Sequence, residues 1–213
     1  TMLRAIRDHW RKRLPFLGVN AGHRGFLLNG CEDFEDGKFP KKDLTIQQSP
    51  LLYIETENEE GSRGMALAFN DVWVERASSQ TAWVNVCVDG EQRLKRMMGD
   101  GILVATAAGS TAYARAMGAT PLLIDNPALI LVGSNVMEPP GWNSALLSLD
   151  AQVEFRAVNS KKRPLVGFAD GRPLGDVKWM SVRLSRIAAA ELVFCSGHDI
   201  VEKIAQLQFP ATK

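Results

Sequence analysis

From Leu51 to Phe194 the chain is broken into short apolar segments, each closed by turn residues, and no other feature restricts its fold as strongly. Within Ala82–Val88, the side chains of Ala82, Val84, Val86 and Val88 alternate with Trp83, Asn85 and Cys87. A period of two puts one set on a buried face of a strand. The same texture predicts strands over residues 51–55, 65–69, 72–76, 102–105, 128–132, 152–158, 165–169, 177–185 and 191–194. Asp-Gly pairs at Asp89-Gly90, Asp100-Gly101 and Asp170-Gly171 mark turns, because Gly accepts positive φ and Asp tolerates it. Strands at this spacing imply a sheet sandwich, not a series of βαβ units.

The first quarter has another texture. Residues 2–13 predict an amphipathic helix, with Thr1 as N-cap, Leu3, Ile6 and Trp10 on one face, and Arg11, Lys12 and Arg13 in the last turn. Pro15 stops it, and residues 16–19 are a short buried strand leading into a loop punctuated by Gly18, Gly22 and Gly25. Residues 29–43 are polar and acidic, as a surface segment would be. Two further helices are expected, over 110–117 and over 199–207, the latter with an apolar stripe of Ile200, Val201, Ile204 and Leu207. The fold class is therefore an α/β N-terminal domain, present as a fragment, plus a mostly-β, sandwich-like C-terminal domain. The expected division is 1–49, rejoined by 198–213, and 50–197.

Composition removes several functions. Lys and Arg number 25 against 24 acidic residues, so bulk charge gives no case for nucleic acid or an anionic membrane as partner. Cys31, Cys87 and Cys195 are few, odd in number and far apart, which argues against a disulfide framework and suits a reducing cytoplasm. With His9, His23 and His198 they make no zinc-ligand spacing, and no metal-ligating residue is assigned. No apolar run approaches the roughly 18 residues needed to span a bilayer.

The densest chemistry lies in Gly99-Asp100-Gly101-Ile102-Leu103-Val104-Ala105-Thr106-Ala107-Ala108-Gly109-Ser110-Thr111-Ala112-Tyr113. It is a turn, an apolar strand, a glycine and a hydroxyl-rich helix start. Unpaired N–H groups at a helix start, with Ser110 and Thr111 beside them, suit an anion or the polar edge of a heterocycle. The same residues are equally those of a plain helix cap followed by a bend.

That stretch resembles the GDG…TPTGSTAY signature of the NAD kinase family. Three further segments fall in the family's order: residues 15–27 resemble its GVNxGxLGFL loop, Asn70-Asp71 its Asn-Glu/Asp pair, and Asp170-Gly171 its late Asp-Gly pair. Thr1-Met2-Leu3-Arg4-Ala5 is similar to the tail of its GGDGT-x-LRA motif. The resemblance implies an enzyme that phosphorylates the 2′-hydroxyl of NAD from ATP with Mg²⁺ or another divalent cation. It places the activating Asp just upstream of Thr1, so no catalytic residue is assigned within the chain. Phe26 and Leu27 would line the adenine side of the NAD pocket, and Asn70 and Asp71 would bond ribose hydroxyls. Ser110, Thr111 and Ala112 would meet adenine, Tyr113 the ribose and diphosphate, and Asp170 the nucleotide as well. Asp100 would reach the adenine held by a neighbouring subunit of a homodimer or homotetramer.

The chain departs from the family pattern in places. Ala107 and Ala108 stand for the Pro and Thr of TPTG, Arg24 for a Leu, and Gly118-Ala119-Thr120-Pro121 for Gly-Gly-Pro. There is no Walker A run and no GxGxxG, so neither a P-loop kinase nor a standard dinucleotide fingerprint is present. Two other readings stay open at this point: a lipid kinase sharing GGDGT, and a nucleotide-binding protein without turnover.

Overall fold

A computed structural model describes residues 2–22, 25–30, 34, 43–196 and 198–209. In chain order the elements are helix α1 (Met2–His9), a 3-10 turn (Trp10–Lys12), β1 (Phe16–Leu17), β2 (Leu44–Glu57), β3 (Arg63–Ala68), β4 (Asp71–Arg76), β5 (Ala82–Val88), β6 (Glu91–Gly99) and β7 (Gly101–Ala105). A second 3-10 turn (Ala108–Thr111) leads into α2 (Tyr113–Ala116). Then come β8 (Ala128–Ser134), β9 (Ser144–Ser148), β10 (Val153–Ala157), β11 (Leu165–Ala169), β12 (Arg172–Asp176), β13 (Trp179–Cys195) and α3 (Ile200–Gln208).

The strands form two sheets. One is seven-stranded, in the order β3-β2-β13-β10-β5-β6, with β1 attached in parallel to β13. The other is six-stranded, β12-β11-β4-β7-β8-β9, and its neighbours are all antiparallel. The main core contains the inward alternation of both: Leu52, Ile54, Val84, Val86, Phe155 and Val182 from the first, Val72, Val74, Ile102, Val104 and Leu131 from the second. Phe155 and its neighbours Val84 and Val86 are wholly buried, a contribution of about 1.5–3 kcal/mol for each large apolar side chain.

Two smaller clusters attach the helices. Ile6 of α1 is buried with Ala188, Ala190, Leu192 and Phe194 of β13. Ala114 of α2 packs with Leu103, Ala105, Ile130 and Val132 of β7 and β8. The architecture is thus an α/β N-terminal portion joined to a mostly-β sandwich. β2 and β13 are the two longest strands and pair with each other on both sides of a register break.

Several sequence expectations need amending. The expected strands at 177–185 and 191–194 are one strand, β13, whose pairing with β2 breaks between Leu184 and Ala189. The first helix gives way to a 3-10 turn at Trp10, and Arg13 closes it in the left-handed region at φ 51. Asn29, expected at the surface, is wholly buried: its amide donates to the carbonyls of Gly18 and Val193 and accepts from the Cys195 N–H. A polar side chain satisfied on every side can be buried at little cost. Most of the rest of 29–43, together with Thr1, His23 and Arg24, lies outside the described residues. The C-terminal helix begins one residue later than expected, with Asp199 as its N-cap accepting from Glu202 N at 2.9 Å.

Candidate functional site

Three neighbouring strands of the six-stranded sheet finish side by side. Asp71 opens β4 opposite Ala105, the last residue of β7, and Val72 pairs with Ala169, the last residue of β11. Register therefore brings together Asn70-Asp71, Thr106 and Asp170, which are scattered over a hundred residues of sequence. Turn chemistry then locks them. Asp170 accepts the backbone N–H groups of Phe69 (2.7 Å), Asn70 (2.8 Å) and Asp71 (3.3 Å). Thr106 donates its hydroxyl to the Phe69 carbonyl at 2.8 Å and accepts the Gly109 N–H at 3.0 Å.

Gly109 is required by this closeness: a Cβ there would lie 2.0 Å from the carbonyl oxygen of Asn70. Gly109, inside the 3-10 turn that follows β7, thus serves to let the 108–111 turn press against the Asn70-Asp71 corner. This is a backbone approach, not only a bend.

The site's electrostatics are unusual. Burial pushes the Asp71 carboxyl up to about 7, with help from the negative charge of Asp170. Burial also raises Asp170, although its three backbone donors and the nearby Arg7 pull the other way. Two buried carboxyls whose pKa values are both raised are a common signature of functional sites. No group of three or more His, Cys, Asp and Glu able to hold an ion lies among the described residues.

Beyond Asp71 the outward side chains of β4 continue as Trp73 and Glu75. Trp73 stacks on Phe168 at 4.8 Å, meets the edge of Tyr113 at 5.1 Å and donates its indole N–H to Glu75. Tyr113 is 41% exposed. Its hydroxyl is raised by burial, and then by Glu75, Asp71 and Asp100. Trp73, Glu75, Arg76, Asp100, Tyr113 and Asn135 surround a cavity of about 400 Å³. Asp100 takes a 2.6 Å bond from Arg76 Nε and another from Asn135 Nδ2. Those two bonds hold its carboxyl below the usual range.

The other sequence-derived residues are placed unevenly. Thr111 is half-buried, its hydroxyl 3.4 Å from the Ala108 carbonyl, and Ala112 is exposed. Ser110 is turned inward. Its hydroxyl is wholly buried, donates to the Ala107 carbonyl at 2.6 Å and accepts the Leu122 N–H at 2.8 Å. It ties the turn to the following loop instead of facing a ligand. The expected helix start with unpaired N–H groups is likewise amended, since the Gly109, Ser110 and Ala112 N–H groups are all bonded. Leu27 packs against the cluster around Ile6, while Phe26 is half-buried in a turn. Sequence reasoning passed over Trp73, Glu75, Thr106 and Asn135. The alternation of Asp71, Trp73 and Glu75 on one strand face was the available signal for two of them.

No family model matches the chain. The NAD kinase of Brucella suis biovar 1 (strain 1330) is 33% identical over 211 residues, 98% of this chain and 81% of that protein. The NAD kinase of Cereibacter sphaeroides (strain ATCC 17025 / ATH 2.4.3) is 33% identical over 211 residues, 98% of this chain and 82% of that protein. Among solved structures, yeast NADH kinase complexed with NADH superposes with a TM-score of 0.77 at 19% identity, over 93% of this chain and 60% of that one. An Archaeoglobus fulgidus NAD kinase in complex with ATP gives 0.72 at 22% identity, over 95% and 76%.

Proposed function

The chain belongs to the NAD kinase family, and from that premise we propose that it transfers the γ-phosphoryl group of Mg-ATP to the adenosine ribose 2′-hydroxyl of NAD, giving NADP. The observation that carries the reading is the corner where Asn70-Asp71, Thr106 and Asp170 meet beside an aromatic wall. Vicinal hydroxyls need an acceptor carboxylate, and Asp71 offers one in a sheltered setting. Asn70 adds an amide, Thr111 a hydroxyl, Ala112 backbone groups and Tyr113 a ring face. Phe26 and Leu27 flank the adenine side. Ser110 and Asp170 act by positioning, the first from within the turn and the second through the three N–H groups it gathers.

In the transfer, the 2′-oxygen forms a bond to the γ-phosphorus while the bond from that phosphorus to the β,γ-bridging oxygen breaks. The electron pair leaves with ADP, and the hydroxyl proton passes to a carboxylate. The acceptor in this reading is the Asp expected upstream of Thr1. Mg²⁺, when bound, would neutralise charge on the phosphates. What the chain contributes is positioning, which dominates catalysis of phosphoryl transfer.

Homo-oligomeric assembly and a cytoplasmic location belong to the same proposal. No helix among the described residues is long and apolar enough to cross a membrane. The test is NADP formation from NAD and Mg-ATP by the full-length protein, coupled to an NADP-specific dehydrogenase. Turnover that disappears when the upstream Asp is changed supports the kinase. NAD binding without turnover would mean a nucleotide-binding protein that lacks the chemistry.

A further inference from the structure

The outer face of the seven-stranded sheet carries a cavity of about 440 Å³ that shares no residue with the nucleotide site. Strand register builds it. Arg63 of β3 stands opposite Glu57 of β2, Glu57 opposite Trp179 of β13, and Trp179 opposite Arg156 of β10. Directly opposed residues share a face of a sheet, so these four side chains form one row across four strands. Met180 and Phe155, their neighbours along β13 and β10, point into the main core, so the row points away from it. Lys178 and Ala157 complete the lining.

The row is held in place by its own bonds. Glu154 accepts the indole N–H of Trp179 at 3.0 Å and Arg156 Nη2 at 2.6 Å, both on the same oxygen. Glu57 accepts from Arg63 Nε at 3.1 Å. Trp179 is thus fixed by one edge, and each guanidinium keeps further N–H groups for another acceptor. The side chains of Arg63 and Arg156 are 78% and 57% exposed, so this end of the face is open to solvent. Charge does not balance here. Three cations, Arg63, Arg156 and Lys178, meet two carboxylates, Glu57 and Glu154, and Lys178 forms no ion pair among the described residues.

A half-buried indole beside a surplus positive charge offers two unlike contacts to one ligand. The indole face takes a flat ring, and an aromatic pair gains more than the area it buries. Guanidinium forks match carboxylate geometry, and the Lys178 ammonium adds a point charge. The surplus is a single charge, which suits a carboxylate, whereas a phosphate monoester carries nearly two near neutrality. The volume of about 440 Å³ falls within the roughly 300–1,000 Å³ of small-molecule sites.

We infer that this cavity is a second ligand site, which binds a planar aromatic monocarboxylate with its ring on Trp179 and its carboxylate at Arg156 and Lys178. The site lies apart from the nucleotide corner. The Trp73–Tyr113 cavity belongs to the other sheet. Arg63 begins β3, and Ala68, which leads into Phe69-Asn70, ends it, a separation of about 17 Å at roughly 3.3 Å per residue. Loss of the kinase reading would leave this site standing, and the reverse holds too.

The probe is indole-3-acetate, titrated calorimetrically into the full-length protein, with uncharged indole as its control. Indole-3-acetate is expected to bind at least about ten-fold more tightly than indole. Lys178→Gln, a change at an exposed position, removes most of that advantage. Trp179→Leu weakens both ligands about ten-fold, while Trp179→Phe, which keeps a ring, retains most of the binding. Thermal unfolding shows which variants are folded, and the Lys178→Gln and Trp179→Phe results decide the matter if Trp179→Leu is not. Saturating NAD leaves the affinity for indole-3-acetate unchanged, and so does Tyr113→Ala. Equal affinities for the two ligands, binding unaltered in Lys178→Gln, or displacement of indole-3-acetate by NAD overturns the proposal.

Discussion

Asp71 is buried at the head of a strand, beside a second carboxyl, where a neutral side chain would be more stable. Its pKa of about 7 in the folded protein compares with about 3.9 when unfolded, so between these values the folded state binds more protons than the unfolded one. Stability from this group is complete below about pH 4 and is lost as pH rises to about 7. Asp71→Asn is therefore expected to raise the melting temperature at pH 8 and to leave it unchanged at pH 4, as calorimetry would read. The same change should weaken NAD binding about ten-fold at pH 8, a loss of about 1.4 kcal/mol. NAD binding by the wild type should itself weaken from pH 8 to pH 6, because the charged form is the better acceptor, and Asp71→Asn should be flat over that range. A variant destabilised at pH 8 would mean that the carboxylate is held by interactions stronger than its burial cost. Gly109 makes the complementary case. Gly109→Ala forces its Cβ against the Asn70 carbonyl, so a loss of about 1–3 kcal/mol in denaturant unfolding is expected, with nucleotide affinity falling as the corner opens.

Among the elements, legibility in the sequence followed burial. Strands with two neighbours, such as β4, β5, β7, β8, β10 and β11, advertised themselves through apolar runs or alternation. The three that escaped notice, β6, β9 and β12, are all edge strands. One flank and one face of such a strand can meet water, so charge and proline are tolerated: β6 reads Glu-Gln-Arg-Leu-Lys-Arg and β12 begins Arg-Pro. The corner of Asn70-Asp71, Thr106 and Asp170 was legible only as separate motifs. Their meeting depends on strand register, which one sequence does not display. The turn from Ala108 into α2 misled more directly, because Ser110 has the composition of a ligand-facing cap yet its hydroxyl serves the Leu122 loop. Tyr113, the first residue of α2, stands against Trp73 with much of its ring open. Tyr113→Ala should cost about ten-fold in NAD affinity, within the roughly 1–3 kcal/mol of a base or ring stacked on an aromatic face, with little change in stability. An unchanged dissociation constant by calorimetry would remove Tyr113 from the site.

At the scale of the whole molecule, the open question is whether one subunit completes the nucleotide pocket alone. Asp100 bears on it because its carboxylate stays charged at neutral pH while lying at the mouth of the 400 Å³ cavity, bonded to Arg76 and Asn135. Both bonds are internal and partly exposed, so their net worth to stability is small, about 0–1 kcal/mol for the ion pair. A residue so placed matters more for what approaches it than for what it holds together. If a neighbouring subunit brings its bound adenine to this mouth, Asp100→Ala should weaken NAD binding several-fold at protein concentrations where sedimentation shows the oligomer. On dilution to monomers, wild type and variant should converge, because the partner that profits from the carboxylate has gone. A deficit of equal size in monomers and oligomers would instead assign the effect to Arg76 and Asn135 losing their acceptor within one subunit. The nucleotide pocket would then be complete in a single chain.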